Sequence, residues 1–229
     1  MMSFLKRVDV ANYLGKYRAG AEGVYGVIIV MTFTSTLRNV KLDTQNIYST
    51  IVLSALYCCI AWGLADGFFY AWERSYNEKN RRILIEESRS EDKKQDALGL
   101  VKEDLDDTIL GSINDDDRQK LYKGILGYLS RNQLKEPENH AVLKTLPNYL
   151  VGTTLLSVGA GVLVLAPFFF FRNDIVQALN LSNLLGIATL FLIGYRRTED
   201  KRPLSRLSSG IVSALLGVII ALITIAIGG

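Results

Sequence analysis

Long apolar runs and short polar breaks alternate along this chain, with one exception. Five runs are long enough to cross a bilayer as helices, at about residues 20–37, 50–71, 147–171, 175–195 and 207–228. A hydrocarbon core roughly 30 Å thick needs about 20 apolar residues in a helix. The exception follows the second run. There TIVLSALYCCIAWGLADGFFYAW passes, with no Pro and no turn signal, into ERSYNEKNRRILIEESRSEDKK. This predicts one helix that leaves the apolar phase and continues into water as a charged stalk.

The polar stretch 72–146 also has a helical pattern. Ile83, Leu84 and Ile85 lie in the stalk, and Leu98, Leu100, Val101, Leu105, Ile109 and Leu110 follow at roughly helical spacing. Asn114-Asp115-Asp116-Asp117 predicts a loop and a helix start ahead of DRQKLYKGILGYLSRN. Three packed helices are expected, with Pro137 and Pro147 bracketing the return to the membrane. The expected fold is an all-α integral membrane protein divided at 1–71, 72–146 and 147–229. Five transmembrane helices carry a helical cytoplasmic insert between the second and third.

A mean hydropathy of +0.19 with 49% hydrophobic residues fits that fold better than a water-soluble domain. The net charge of +3 matters less than its placement. Lys6, Arg7, Lys16 and Arg18 precede the first run, and Arg196, Arg197, Lys201, Arg202 and Arg206 separate the fourth from the fifth. The insert holds 14 of the 26 Lys and Arg residues, whereas the two remaining loops hold only Arg38, Lys41 and Arg172. Cationic loops stay on the cytoplasmic side. The N-terminus and insert are thus expected inside and the C-terminus outside. Residues 1–19 mix Phe4, Leu5, Val8, Tyr13, Leu14 and Tyr17 with basic residues, a pattern for an amphipathic helix on the inner surface. They show no long apolar core and no small-residue cleavage site, so the first span is expected to act as the insertion signal.

Candidate chemistry lies in the polar groups inside the apolar runs. Gly20, Ala21, Gly23 and Gly26 give the first run a small face for close approach to another helix. Thr32, Thr34, Ser35 and Thr36 can bond back to helix carbonyls or line a polar path. Gln177, Asn180, Ser182 and Asn183 in the fourth run either join helices or line a cavity, and spacing does not separate the two. Glu22 and Asp66 are the ionisable groups of the spans. A charge at the bilayer centre costs about 2.5–3.5 kcal/mol and less near an interface. With the N-terminus inside, both acids fall near the inner face at similar depth. Two carboxylates from neighbouring helices make an oxygen-rich cation site, with the Met31 thioether further out on the first run. The competing reading pairs each acid with a nearby cation, Arg18 or Arg74.

Other chemistry is not encoded. Cys58 and Cys59 are adjacent in the second run and are expected as small packing residues. His140 sits in a loop beside Glu136 and Glu138, where a solvated side chain is the simpler expectation. No zinc spacing, P-loop, dinucleotide fingerprint or nucleophile elbow occurs. An enzyme is not expected, nor a tightly bound cofactor. Basic residues do not interleave with aromatics, so no nucleic-acid partner is expected.

Taken together, the first run, Ala65-Asp66-Gly67 of the second, a helical insert, then PFFFF-RND-IVQALNLSNLLGIATLFLIGY and a glycine-ended last run resemble the vacuolar iron transporter family. The likeness is nearest its bacterial and archaeal branch. It covers nearly the whole chain in topology, is moderate in motif within the spans and is slight in the insert. It implies a homodimer in a prokaryotic cytoplasmic membrane that exports Fe2+ or Mn2+ in exchange for protons. By position, Glu22 of Ala21-Glu22-Gly23 stands near the family's first-span acid. Asp66 stands where the family has a small-Gly-Glu motif. The resemblance also implies a cytoplasmic three-helix domain whose glutamates collect metal. Glu73, Glu78, Glu86, Glu87 and Glu91 occupy the stalk here, at a spacing that departs from the family's repeat.

The expected metal ligands are therefore Glu22, Asp66, Glu73, Glu78, Glu86 and Glu87, with Tyr25 and Asn183 on the substrate path. The expected partners are the lipid bilayer, divalent cations, protons and a second copy docked on the small face of the first run. The alternative is a non-transporting membrane protein whose insert is a docking or assembly module.

Overall fold

The computed structural model describes residues 10–39, 48–106, 108–131, 141–198 and 202–228. Most of the expected surface helix 1–19, the loop around Lys41, Pro137, His140 and Lys201 lie outside these. The described residues form seven α-helices and no strand. They are α1 (Val10–Ser35), α2 (Leu53–Arg89), α3 (Lys94–Asp106), α4 (Asp115–Arg131), α5 (Ala141–Phe170), α6 (Ile175–Arg197) and α7 (Pro203–Gly228). The chain divides into two compact units, one of residues Met1–Tyr70 with Thr145–Gly229 and one of Ala71–Lys144.

Four helices are long and apolar enough to cross a membrane, in α2, α5, α6 and α7. Only 28%, 39%, 33% and 17% of their most apolar windows are buried inside the protein, so most of that apolar surface faces outward. Outward apolar bands of this extent are stable only against lipid. The chain is an integral membrane protein. The first apolar run is helical too, within α1, but it is not among the four. Glu22 and the hydroxyls of Thr32, Thr34 and Ser35 dilute it, and the helix tightens to a 3-10 turn at Thr36–Asn39. Gly15, at φ 75°, breaks the regular helix near the start of α1. That left-handed conformation is open to glycine at little cost.

The larger unit is centred on Val27, Val30, Met31, Cys59, Leu165 and Phe168, all nearly or wholly buried. Its helices touch through glycines. A Cβ on Gly63 would stand 2.5 Å from Thr154 Cα, and one on Gly67 2.7 Å from Leu150 Cα, so α2 and α5 meet backbone to backbone. Hydroxyls and a thiol bridge the helices by donating to backbone carbonyls. Thr153 Oγ1 lies 2.6 Å from Gly63 O, Ser182 Oγ 2.8 Å from Val164 O, Ser209 Oγ 3.0 Å from Gly194 O, and Cys59 Sγ 3.8 Å from Gly26 O. Ser182 thus joins helices. Thr34 bonds back to its own helix, at 2.9 Å from Val30 O.

The small face of α1 was expected to receive a second copy. It is occupied within the chain instead. Gly20 and Gly23 pack on Arg197 and Ile193 of α6, and Gly26 on the Ser157 carbonyl of α5. A small face permits close approach without naming the partner. Pro147 also differs from expectation: it lies inside α5, as does Pro167. Each proline removes one donor, and a helix of 30 residues keeps its other bonds around that gap.

The smaller unit has its own core of Ala97, Val101, Tyr122 and Leu126, with Leu84, Leu98, Leu105, Leu110 and Ile125 around it. The i, i+4 pairs 97/101 and 122/126 place those four on facing stripes of α3 and α4. Asp115, Asp116 and Asp117 fill the first turn of α4 and Arg131 its last, matching the helix dipole. Tyr122 Oη donates to Asp106 Oδ1 at 2.8 Å. Arg118 donates to Gly111 O at 3.1 Å and pairs with Asp106 and Asp115, tying down the α3–α4 connection.

Candidate functional site

Two short sequences of the same form face each other across α1 and α2. Ala21-Glu22-Gly23 lies on α1 and Ala65-Asp66-Gly67 on α2. In each, the acid is flanked by residues too small to hold a neighbouring helix away. The carboxyl groups of Glu22 and Asp66 come into direct interaction. Glu22 is fully buried and Asp66 half-buried. Glu22 Oε2 and Asp66 Oδ2 are both buried oxygens without a well-formed hydrogen bond.

Helical spacing builds the rest. Arg18, Glu22 and Tyr25 fall at i, i+4 and i+7 on α1, and Trp62, Asp66 and Tyr70 at i, i+4 and i+8 on α2, so each set shares one face. The faces meet in antiparallel order. Tyr25 and Trp62 form an edge-on aromatic pair with centroids 5.7 Å apart. Glu22 meets Asp66, whose carboxyl also interacts with the Trp62 side chain. Tyr70 Oη donates to Glu22 Oε1 at 2.9 Å, and the Arg18 guanidinium lies 4.8 Å from the centre of the Tyr70 ring. The acid pair is thus held between two aromatic contacts.

No protein family's model matches this chain, and no curated protein does. The reading of the site rests on its geometry.

The other expected residues are placed differently. Tyr25 borders the acid pair through Trp62. Asn183 is on α6, 9% exposed, with a buried Oδ1 that makes no hydrogen bond. Glu73, Glu78, Glu86 and Glu87 all lie on α2. At about 100° per residue, Glu78 is about 140° round the helix from Glu73 and Glu86 about 220°. Glu87 returns to within about 40° of Glu73 only after about four turns. The helix by itself therefore does not gather these acids, and Glu78 pairs with Arg74 at 3.0 Å. Among the described residues no three His, Cys, Asp or Glu side chains come together, so Glu22 and Asp66 stand as a pair. Sequence reading missed Tyr70 and Trp62. Their spacing of four residues on either side of Asp66 was the available signal.

Proposed function

We propose that this chain is a secondary transporter that exports a divalent transition metal, Fe2+ or Mn2+, from the cytosol in exchange for protons. The observation that carries the reading is the Glu22–Asp66 pair, brought together from two helices with one unsatisfied buried oxygen on each carboxyl. Two carboxylates so close repel each other unless a proton or a cation lies between them. Either occupant satisfies the same oxygens, so one displaces the other. Oxygen donors suit Mn2+ and accept Fe2+. In this reading α1 is a fifth span, residues 72–146 are cytoplasmic, the N-terminus is inside and the C-terminus outside. The stalk glutamates raise the local metal concentration, and Tyr25 and Asn183 border the path. A homodimer in a prokaryotic cytoplasmic membrane belongs to this reading, through a face other than the occupied glycines of α1. It is also what the sequence resemblance to the vacuolar iron transporter family would imply.

A second reading, a cytoplasmic docking or assembly module on a membrane anchor, draws on the smaller unit. That unit has its own core, and its stalk acids point to different sides of the helix. Metal flux into proteoliposomes separates the two. With Mn2+ or Fe2+ under a proton gradient, the wild type is expected to show saturable flux, and Asp66→Asn is expected to lose at least about tenfold, the factor that about 1.4 kcal/mol of binding represents. Wild-type protein without flux under a gradient of either sign favours the docking module.

A further inference from the structure

Glu22 has two carboxyl oxygens in two different situations. Oε1 accepts the Tyr70 hydroxyl at 2.9 Å, whereas Oε2 is buried without a well-formed hydrogen bond. Tyr70 follows Asp66 by one turn on α2, and Arg18 precedes Glu22 by one turn on α1. The Arg18 guanidinium over the ring, 4.8 Å from its centre, crosses back between the same two helices. The hydroxyl is therefore placed by the elements that carry the two acids. A glutamate side chain has three rotatable bonds, and a hydrogen bond to one oxygen selects which rotamer points the other oxygen.

We propose that Tyr70 positions Glu22 for cation binding and biases which cations fit, by hydrogen-bonding Oε1 so that Glu22 binds a cation chiefly through Oε2. The inference rests on the acid pair being the cation site. It has a chemical consequence. A hydrogen bond takes one of the two lone pairs on Oε1, so that oxygen competes less well for a cation and one-oxygen binding through Oε2 is favoured. Ca2+ takes six to eight oxygens, often from carboxylates that give both, whereas smaller divalent cations are satisfied by fewer. Holding Oε1 thus tilts the site toward Mn2+ and Fe2+ and away from Ca2+. Arg18 keeps the ring in register.

The test is the initial rate of Mn2+ uptake by the full chain in proteoliposomes, measured against Mn2+ concentration with and without Ca2+. Tyr70→Phe keeps the ring and removes only the hydroxyl. It is expected to raise KM for Mn2+ about tenfold, as fits the loss of one hydrogen bond to a charged group, and to leave kcat unchanged. Ca2+ is expected to inhibit this variant at lower concentration than the wild type. Arg18→Gln retains the hydroxyl and is expected to raise KM about threefold, in keeping with the loss of a cation–π contact. It provides a second reading if Tyr70→Phe yields too little folded protein. A purely structural role would scale the rate at every concentration and leave Ca2+ inhibition unmoved, and that result overturns the proposal. Saturable wild-type flux that falls in Asp66→Asn, with KM and Ca2+ inhibition unchanged in Tyr70→Phe and Arg18→Gln, overturns the positioning role alone. Absence of saturable wild-type flux overturns the cation site and the positioning role together.

Discussion

Gly63 and Gly159 differ in what a side chain would meet, and that difference is measurable. A Cβ on Gly63 would press on Thr154 Cα at 2.5 Å, which is backbone and cannot turn aside, whereas one on Gly159 meets nothing within 4 Å. Gly63→Ala should destabilise the protein by about 1–3 kcal/mol, the range for forced overpacking. Gly159→Ala should be neutral or more stable by up to about 1 kcal/mol, because alanine is the better helix former. Thermal unfolding in detergent checks both: a lower midpoint for Gly63→Ala with an unchanged or raised one for Gly159→Ala. At this scale the sequence was informative about residue type and silent about partners. Glu22 and Asp66 were visible because an acid in an apolar run costs energy and needs a reason. Tyr70 was not, since a tyrosine near the end of a span is ordinary there. Only the helix opposite gives its hydroxyl a role.

Among the elements, α3 and α4 carry a pH prediction. Burial, followed by the Asp106 carboxylate that accepts its hydroxyl, pushes the Tyr122 phenol above its ordinary value near 10. A group whose folded value is raised contributes stability in full below its unfolded value, and loses it as pH rises through the folded one. The smaller unit should therefore hold up to about pH 10 and weaken above it. Tyr122→Phe has no proton to lose there, so its alkaline loss should be shallower. Far-UV circular dichroism of the full chain, titrated from pH 8 upward for both proteins, gives the comparison. Equal titration curves would remove Tyr122 from the account. The helices themselves were legible: the stalk runs unbroken through Leu53–Arg89, and α4 starts at Asp115 after Asn114. Pro147 was misleading. Sequence treats a proline as a boundary, but a long helix with packed sides can lose one backbone bond and continue.

For the whole molecule, the apolar outer faces of α2, α5, α6 and α7 make it a membrane protein. Sidedness is a prediction carried by charge. Single cysteines at Ser112 in the insert and at Asn173 in the α5–α6 turn, in a chain with Cys58 and Cys59 replaced by Ala, should label from opposite sides of the membrane. Ser112→Cys is expected to react from the cytoplasmic side and Asn173→Cys from the outside. Labelling of both from one side would break the inside assignment of the insert. The four strongest spans could be counted from sequence because hydropathy sums over a window and needs no partner. The first run is weaker for the same reason: its polar residues enter the sum wherever they point.

By itself the sequence determined which stretches are helical, which four are apolar enough to cross a membrane, and which two acids interrupt its apolar runs. These are local properties, set by composition and by a period of 3.6 residues. The tertiary structure alone decided the pairings: Gly63 against Thr154, the glycines of α1 against α5 and α6 rather than a second copy, and Tyr70 on Glu22. Those partners are up to 177 positions apart in the chain, as Gly20 is from Arg197. Close packing of whole helix faces selects them, and no window of sequence contains both sides of such a contact.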